Sequence, residues 1–88
     1  MSEADLYKAD LIEAILYKAI LKGADLGEAN LFKAYLRAAN LRGTSLREAN
    51  VSYANLIGVD LSHANLGAAN LRHTNLREAK LNNPIPRR

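Results

Sequence analysis

Apolar residues recur along this chain with a period of five. Leucine occupies positions 6, 11, 16, 21, 26, 31, 36, 41, 46, 56, 61, 66, 71, 76 and 81, and Val51 fills the remaining slot. Two residues before each of these sixteen centres stands a small residue, alanine at thirteen and Thr44, Val59 and Thr74 at the others. The residue immediately before the centre is Asp or Asn at eleven of them, the departures being Ile15, Ile20, Tyr35, Ser45 and Lys80. The two positions after each centre vary freely. A helix does not explain this period. At about 100° per residue, a five-residue step rotates the leucines by about 140°, so they spiral instead of forming a stripe. The recurrent Asn and Asp also compete with helical hydrogen bonds. An extended segment explains the first three positions, since residues two apart point to one side and the residue between them points out. The alternation breaks after each centre, so the next two residues turn the chain. Gly23, Gly43 and Gly58, two after a centre, and Gly27 and Gly67, one after, fall where turns are expected.

The consensus A-(D/N)-L-x-x, repeated in phase from Ala4 to Asn83, strongly resembles the pentapeptide-repeat proteins. One copy of such common residues carries no information; sixteen in tandem make coincidence negligible. The resemblance implies an all-β fold, a right-handed quadrilateral β-helix of four coils over residues 4–83, followed by a tail at 84–88. The four sides and the handedness come from the family and not from the spacing. With four sides, residues twenty apart stack, so Leu6, Leu26, Leu46 and Leu66 make one inner column and the other centres make three more. Coils then lie about 4.8 Å apart, as neighbouring strands do. The alanine position is narrow, and Thr44 and Thr74 fit there if their hydroxyls find backbone partners. The Asn and Asp positions are expected to serve ladders along the stack and turns.

The surface departures are concentrated near the start. Ile15 and Ile20 replace polar residues in the first coil, and Tyr35 stacks on Ile15. Tyr7, Ile12, Tyr17 and Phe32 follow their centres, where side chains are expected to face solvent, and Ile12 stacks with Phe32. Tyr7, Ile12, Ile15, Tyr17, Ile20, Phe32 and Tyr35 together form a candidate contact patch. The two ends differ. Asn82-Asn83-Pro84-Ile85-Pro86 stops the pattern, because proline cannot donate to a ladder. No capping segment precedes Leu6. Open stacks need caps, so the expected arrangement is a homodimer meeting at the first coil, with an end-to-end contact as one form. A chain excised from a longer protein, or a designed one, is the alternative.

Composition narrows the function. The 88 residues allow one domain, with one Phe, four Tyr and no Trp, so large aromatics do not build the core. Without cysteine there is neither a disulfide framework nor a thiolate zinc site. No secretory signal and no membrane-spanning apolar run is visible, and a cytoplasmic location is the expectation. His63 and His73 are ten residues apart and fall on opposite sides of a four-sided coil, so they share no metal. Ser45, Ser52 and Ser62 have no His–Asp partner at a fixed spacing. Glu28 and Glu48 stack, with Lys8 in the same column, on a convex surface that offers no pocket to desolvate them. No phosphate-binding or dinucleotide motif is present. No cofactor, no metal and no catalysis are therefore expected. Some family members mimic B-form DNA and bind DNA gyrase, but those are strongly acidic and longer. A net charge of +3 argues against that role. Arg37, Arg42 and Arg47 wrap the coil among carboxylates instead of forming a nucleic-acid stripe. The reading is a non-enzymatic interaction module that self-associates and binds an unidentified protein partner.

Overall fold

The computed structural model describes residues 2–81, so the proline-bearing tail lies outside the described residues. Within them the residue before each centre pairs, in parallel, with the residue twenty positions on. Asp5 bridges Asp25, Asp25 bridges Ser45 and Ser45 bridges Asn65, and the columns begun by Asp10, Ile15 and Ile20 continue in the same way. The fourth column ends as two short parallel strands, β1 (Asp60–Leu61) and β2 (Lys80–Leu81), with Asp60 beside Lys80. One winding of the chain is thus twenty residues, built from four five-residue units.

A consensus unit with a neighbouring winding on both sides satisfies all five of its backbone N–H groups. In the unit around Leu31, Asn30 donates to Ala9 O at 2.9 Å, Leu31 to Asn50 O at 2.7 Å and Lys33 to Ser52 O at 3.1 Å. Ala34 closes the turn on Leu31 O at 2.9 Å. The fifth donor, Phe32 N–H, is capped by the side chain of Asn30 at 3.1 Å. An i to i+3 bond with a positive φ at the third residue is the signature of a type II turn. That φ lies between 54° and 72° at every described position two after a centre, from Lys8 to Glu78.

All eleven Asp and Asn side chains that precede a centre accept from the backbone N–H two residues on, as in Asp25 to Gly27 and Asn65 to Gly67, both 2.9 Å. The expected side-chain ladder along the stack is therefore corrected. These side chains cap turns, because the turn N–H lies within their own unit and needs no neighbour of matching geometry. The hydroxyls at the narrow position do find partners, Thr44 on Leu21 O at 3.1 Å and Thr74 on Val51 O at 2.9 Å.

Asp60 shows the cap acting on a charge. Its carboxyl is held below the ordinary 3.8 by hydrogen bonds from Ser62, first the hydroxyl and then the backbone N–H. A carboxyl lowered in the folded state adds stability that is present above its ordinary value and lost as pH falls through the lowered one. Asp60→Asn is expected to keep the cap and flatten the stability profile below about pH 4, measured by chemical denaturation against the parent.

The core occupies the middle windings. Leu21, Leu26, Leu31, Leu36, Leu41, Leu46, Val51, Leu56 and Leu61 are essentially inaccessible, while Leu6, Leu11, Leu16, Leu66, Leu71 and Leu76 are partly buried against them. Among the described residues the terminal layers have neighbours on one side only.

Candidate interaction surface

The seven residues of the sequence-derived patch do not form one cluster. Ile15 and Tyr35 are bridge partners in one column, and Tyr17 stands beside them; the three line a shallow hollow of about 270 Å³ with Arg37 and Asn55. Ile15 is the most exposed large apolar residue among the described ones, at 80%. Tyr7, Ile12 and Ile20 are also exposed, but each belongs to a different column of the first winding. Phe32 departs from the expectation that it faces solvent. It is half-buried, edge-on to Tyr53 at 5.7 Å, because the turn of the unit above covers it. Tyr53 in turn stacks on His73 at 4.8 Å. The sequence reading did not join Arg37, Asn55, Tyr53 and His73 to the apolar surface. Their signal is stacking across windings, with 17 over 37, 35 over 55 and 53 over 73.

The first winding is nonetheless unlike the rest. Tyr7, Ile12, Ile15, Tyr17 and Ile20 ring it, and elsewhere only Tyr35, Tyr53 and Leu81 are large, apolar and exposed among the described residues. At Ile15, Ile20 and Tyr35 the chain gives up the turn cap, since isoleucine has no acceptor and the tyrosine hydroxyl lies at the far end of its ring. Each missing cap forgoes roughly 1 kcal/mol of local stability. Three exposed apolar residues thus stand where Asn or Asp serves the fold better.

Polar groups on the surface are paired only loosely. Tyr7 Oη donates to Glu28 Oε2 at 3.1 Å, and this bond, with the charge of Glu28, raises the phenol above 10.0. Lys8 lies 3.9 Å from Glu28, and Arg47 lies 3.6 Å from Glu48. Pairs this exposed contribute little. A second hollow, about 370 Å³, is bordered by Lys22, Arg42, Gly23, Gly43 and His63. His63 and His73 lie in different columns. Among the described residues no three His, Asp or Glu side chains are placed to hold a metal ion, and no helix is long and apolar enough to cross a membrane.

The twenty-residue register, the turn at every fifth residue and the capped Asp and Asn positions define a repeat protein, and the pentapeptide-repeat family model matches residues 1–31, 24–62 and 54–83 in 8 copies. The chain belongs to that family. Among solved structures it is similar to a pentapeptide repeat protein, Rfr23, from the cyanobacterium Cyanothece 51142, with 41% identity, 92% of this chain and 55% of that chain covered, and a TM-score of 0.91. It is also similar to alr5209 from Nostoc PCC 7120, with 49% identity, 88% and 64% coverage, and a TM-score of 0.87. HetL from the same Nostoc strain, a pentapeptide repeat protein involved in heterocyst differentiation regulation, is 33% identical, with 91% and 46% coverage and a TM-score of 0.54. The chain therefore spans a little over half to just under two thirds of the first two relatives' length. No curated protein sequence matches it.

Proposed function

We propose that this chain is a non-enzymatic interaction module, a right-handed quadrilateral β-helix of four coils that associates with a second copy of itself through its first coil. The observation that carries the reading is the ring of exposed Tyr7, Ile12, Ile15, Tyr17 and Ile20 on that coil. Exposed apolar groups concentrated on one winding of a repeat protein mark a contact surface, and here two of them displace a turn cap. The twenty-residue register with one turn in each unit supports the four-sided coil. The involvement of HetL in regulation accords with a module that acts by binding. A DNA-mimicking role has no support in a surface of net charge +3.

Light scattering across a concentration range tests this on the parent and on an Ile12→Lys, Ile15→Lys double variant. The parent is expected to show twice the monomer mass at high concentration. The variant is expected to stay monomeric and to melt within a few degrees of the parent, because both side chains are exposed. A parent that remains monomeric at every concentration overturns the proposal.

A further inference from the structure

The direction of the backbone hydrogen bonds specifies how two first coils would meet; this rests on the self-association proposed above. Each bridge residue of the second coil turns both of its backbone groups toward the first. Asp25, Asn30, Tyr35 and Asn40 donate N–H to Ala4, Ala9, Ala14 and Ala19 at 2.9 Å. Their carbonyls accept from Leu6, Leu11, Leu16 and Leu21 at 2.8 Å. The same orientation in the first coil directs the N–H and C=O of Asp5, Asp10, Ile15 and Ile20 off the N-terminal edge. Among the described residues nothing pairs with them. A residue that presents both groups to one neighbour occupies the hydrogen-bonded position of an antiparallel pair, in which two opposed residues exchange both bonds. Two identical edges meet in that way about a two-fold axis.

We infer that two copies join edge to edge in the antiparallel register that sets Asp10 opposite Ile15 of the second copy and Asp5 opposite Ile20 of the second copy, with the reciprocal pairs completing the ring. Bridge positions recur every five residues, so competing registers differ by one unit. A slip one way opposes Asp10 to Asp10 and leaves Ile20 without a partner. A slip the other way opposes Ile15 to Ile15 and leaves Asp5 without one. Only the register between them uses all four bridge residues. It also sets each aspartate against an isoleucine, avoiding opposed like charges, and it faces Lys22 toward Glu3 of the second copy. A winding that climbs steadily meets its inverted copy at even spacing in such a constant register.

The arrangement explains why the exposed apolar residues fall in all four columns instead of one. Tyr7, Ile12, Ile15, Tyr17 and Ile20 encircle the junction. The half-buried layer of Leu6, Leu11 and Leu16 becomes an interior layer against its symmetry mate.

The chain has no cysteine, which permits a direct test. Asp10→Cys is mixed with a tagged Ile15→Cys variant and oxidised, and Asp5→Cys is mixed with Ile20→Cys in parallel. Circular dichroism and light scattering confirm folding and mass for each variant. Opposed residues of a hydrogen-bonded pair have Cα atoms about 5.5 Å apart, within disulfide range. Mixed disulfides are expected in both mixtures, at least ten-fold over links between identical variants. A dimer in which Ile15→Cys or Asp10→Cys links to itself, or in which neither mixture links, overturns the register while leaving self-association standing. Monomeric mass for the parent overturns self-association, and the register with it.

Discussion

Leu36→Lys is expected to abolish cooperative folding at 25 °C. Leu36 is 1% exposed, and its column runs from Leu16 through Leu36 and Leu56 to Leu76. Its backbone is fixed from both sides, since its N–H donates to Asn55 O at 2.9 Å and its C=O closes the turn at Ala39. A lysine ammonium there cannot rotate to water without breaking those bonds. The surrounding cluster is leucine, alanine and valine, with no carboxylate to pair with it. Burying an unpaired charge costs several kcal/mol after relaxation, comparable to the whole stability of a domain this small. Leu36→Ala removes only the contacts and is expected to cost about 2–5 kcal/mol, lowering the melting temperature without destroying the transition. Leu6→Lys is expected to cost less than Leu36→Lys, because Leu6 is only half-buried. Thermal melts followed by circular dichroism rank the three. A Leu36→Lys melt that superimposes on the parent's would overturn the inward orientation of the centres.

The inner columns were legible because one physical requirement, a leucine facing a closed interior every fifth residue, leaves a periodic trace. The same periodicity concealed the contact surface. Tyr7, Ile12, Ile15, Tyr17 and Ile20 are neighbours in sequence, yet each turn assigns the next unit to another column. Only Ile15, Tyr17 and Tyr35 line one hollow, and the other members of the patch are distributed around the first winding. Its place after a centre points Phe32 outward, but its ring meets Tyr53 edge-on, twenty-one residues on, a diagonal neighbour that no single column contains. The Asp and Asn positions were legible as structural, but whether they bond along the stack or within the turn depends on where their side chains point. The 2.6 Å bond from Ser52 Oγ to Asn50 Oδ1, beside the cap from Ser52 N–H at 3.0 Å, shows how fully the turn takes up that acceptor.

Alanine and glycine substitutions two after a centre are expected to act with signs opposite to those they have elsewhere in a β-structure. Glycines at 23, 43 and 58 mark this position as a turn, but twelve non-glycine residues occupy it with the same positive φ. An L residue there is strained by roughly 1 kcal/mol or more, because its Cβ crowds the following carbonyl. At Gly43, φ is 69°, and a built Cβ meets nothing nearer than Gly23 N at 4.0 Å. Space is therefore available, and the cost of Gly43→Ala, about 1 kcal/mol, comes from the backbone alone. Ala38 has φ 62° and is exposed, so Ala38→Gly loses little packing and relieves the strain. It is expected to gain about 0.5–1 kcal/mol, which in a domain of this size raises the melting temperature by a few degrees. In an ordinary strand interior the same alanine-to-glycine change costs about that much. Chemical denaturation of both variants separates the cases. Opposite signs at 38 and 43 establish the left-handed turn as the constraint on every unit, whereas a loss of stability in Ala38→Gly means that turn is not left-handed in solution.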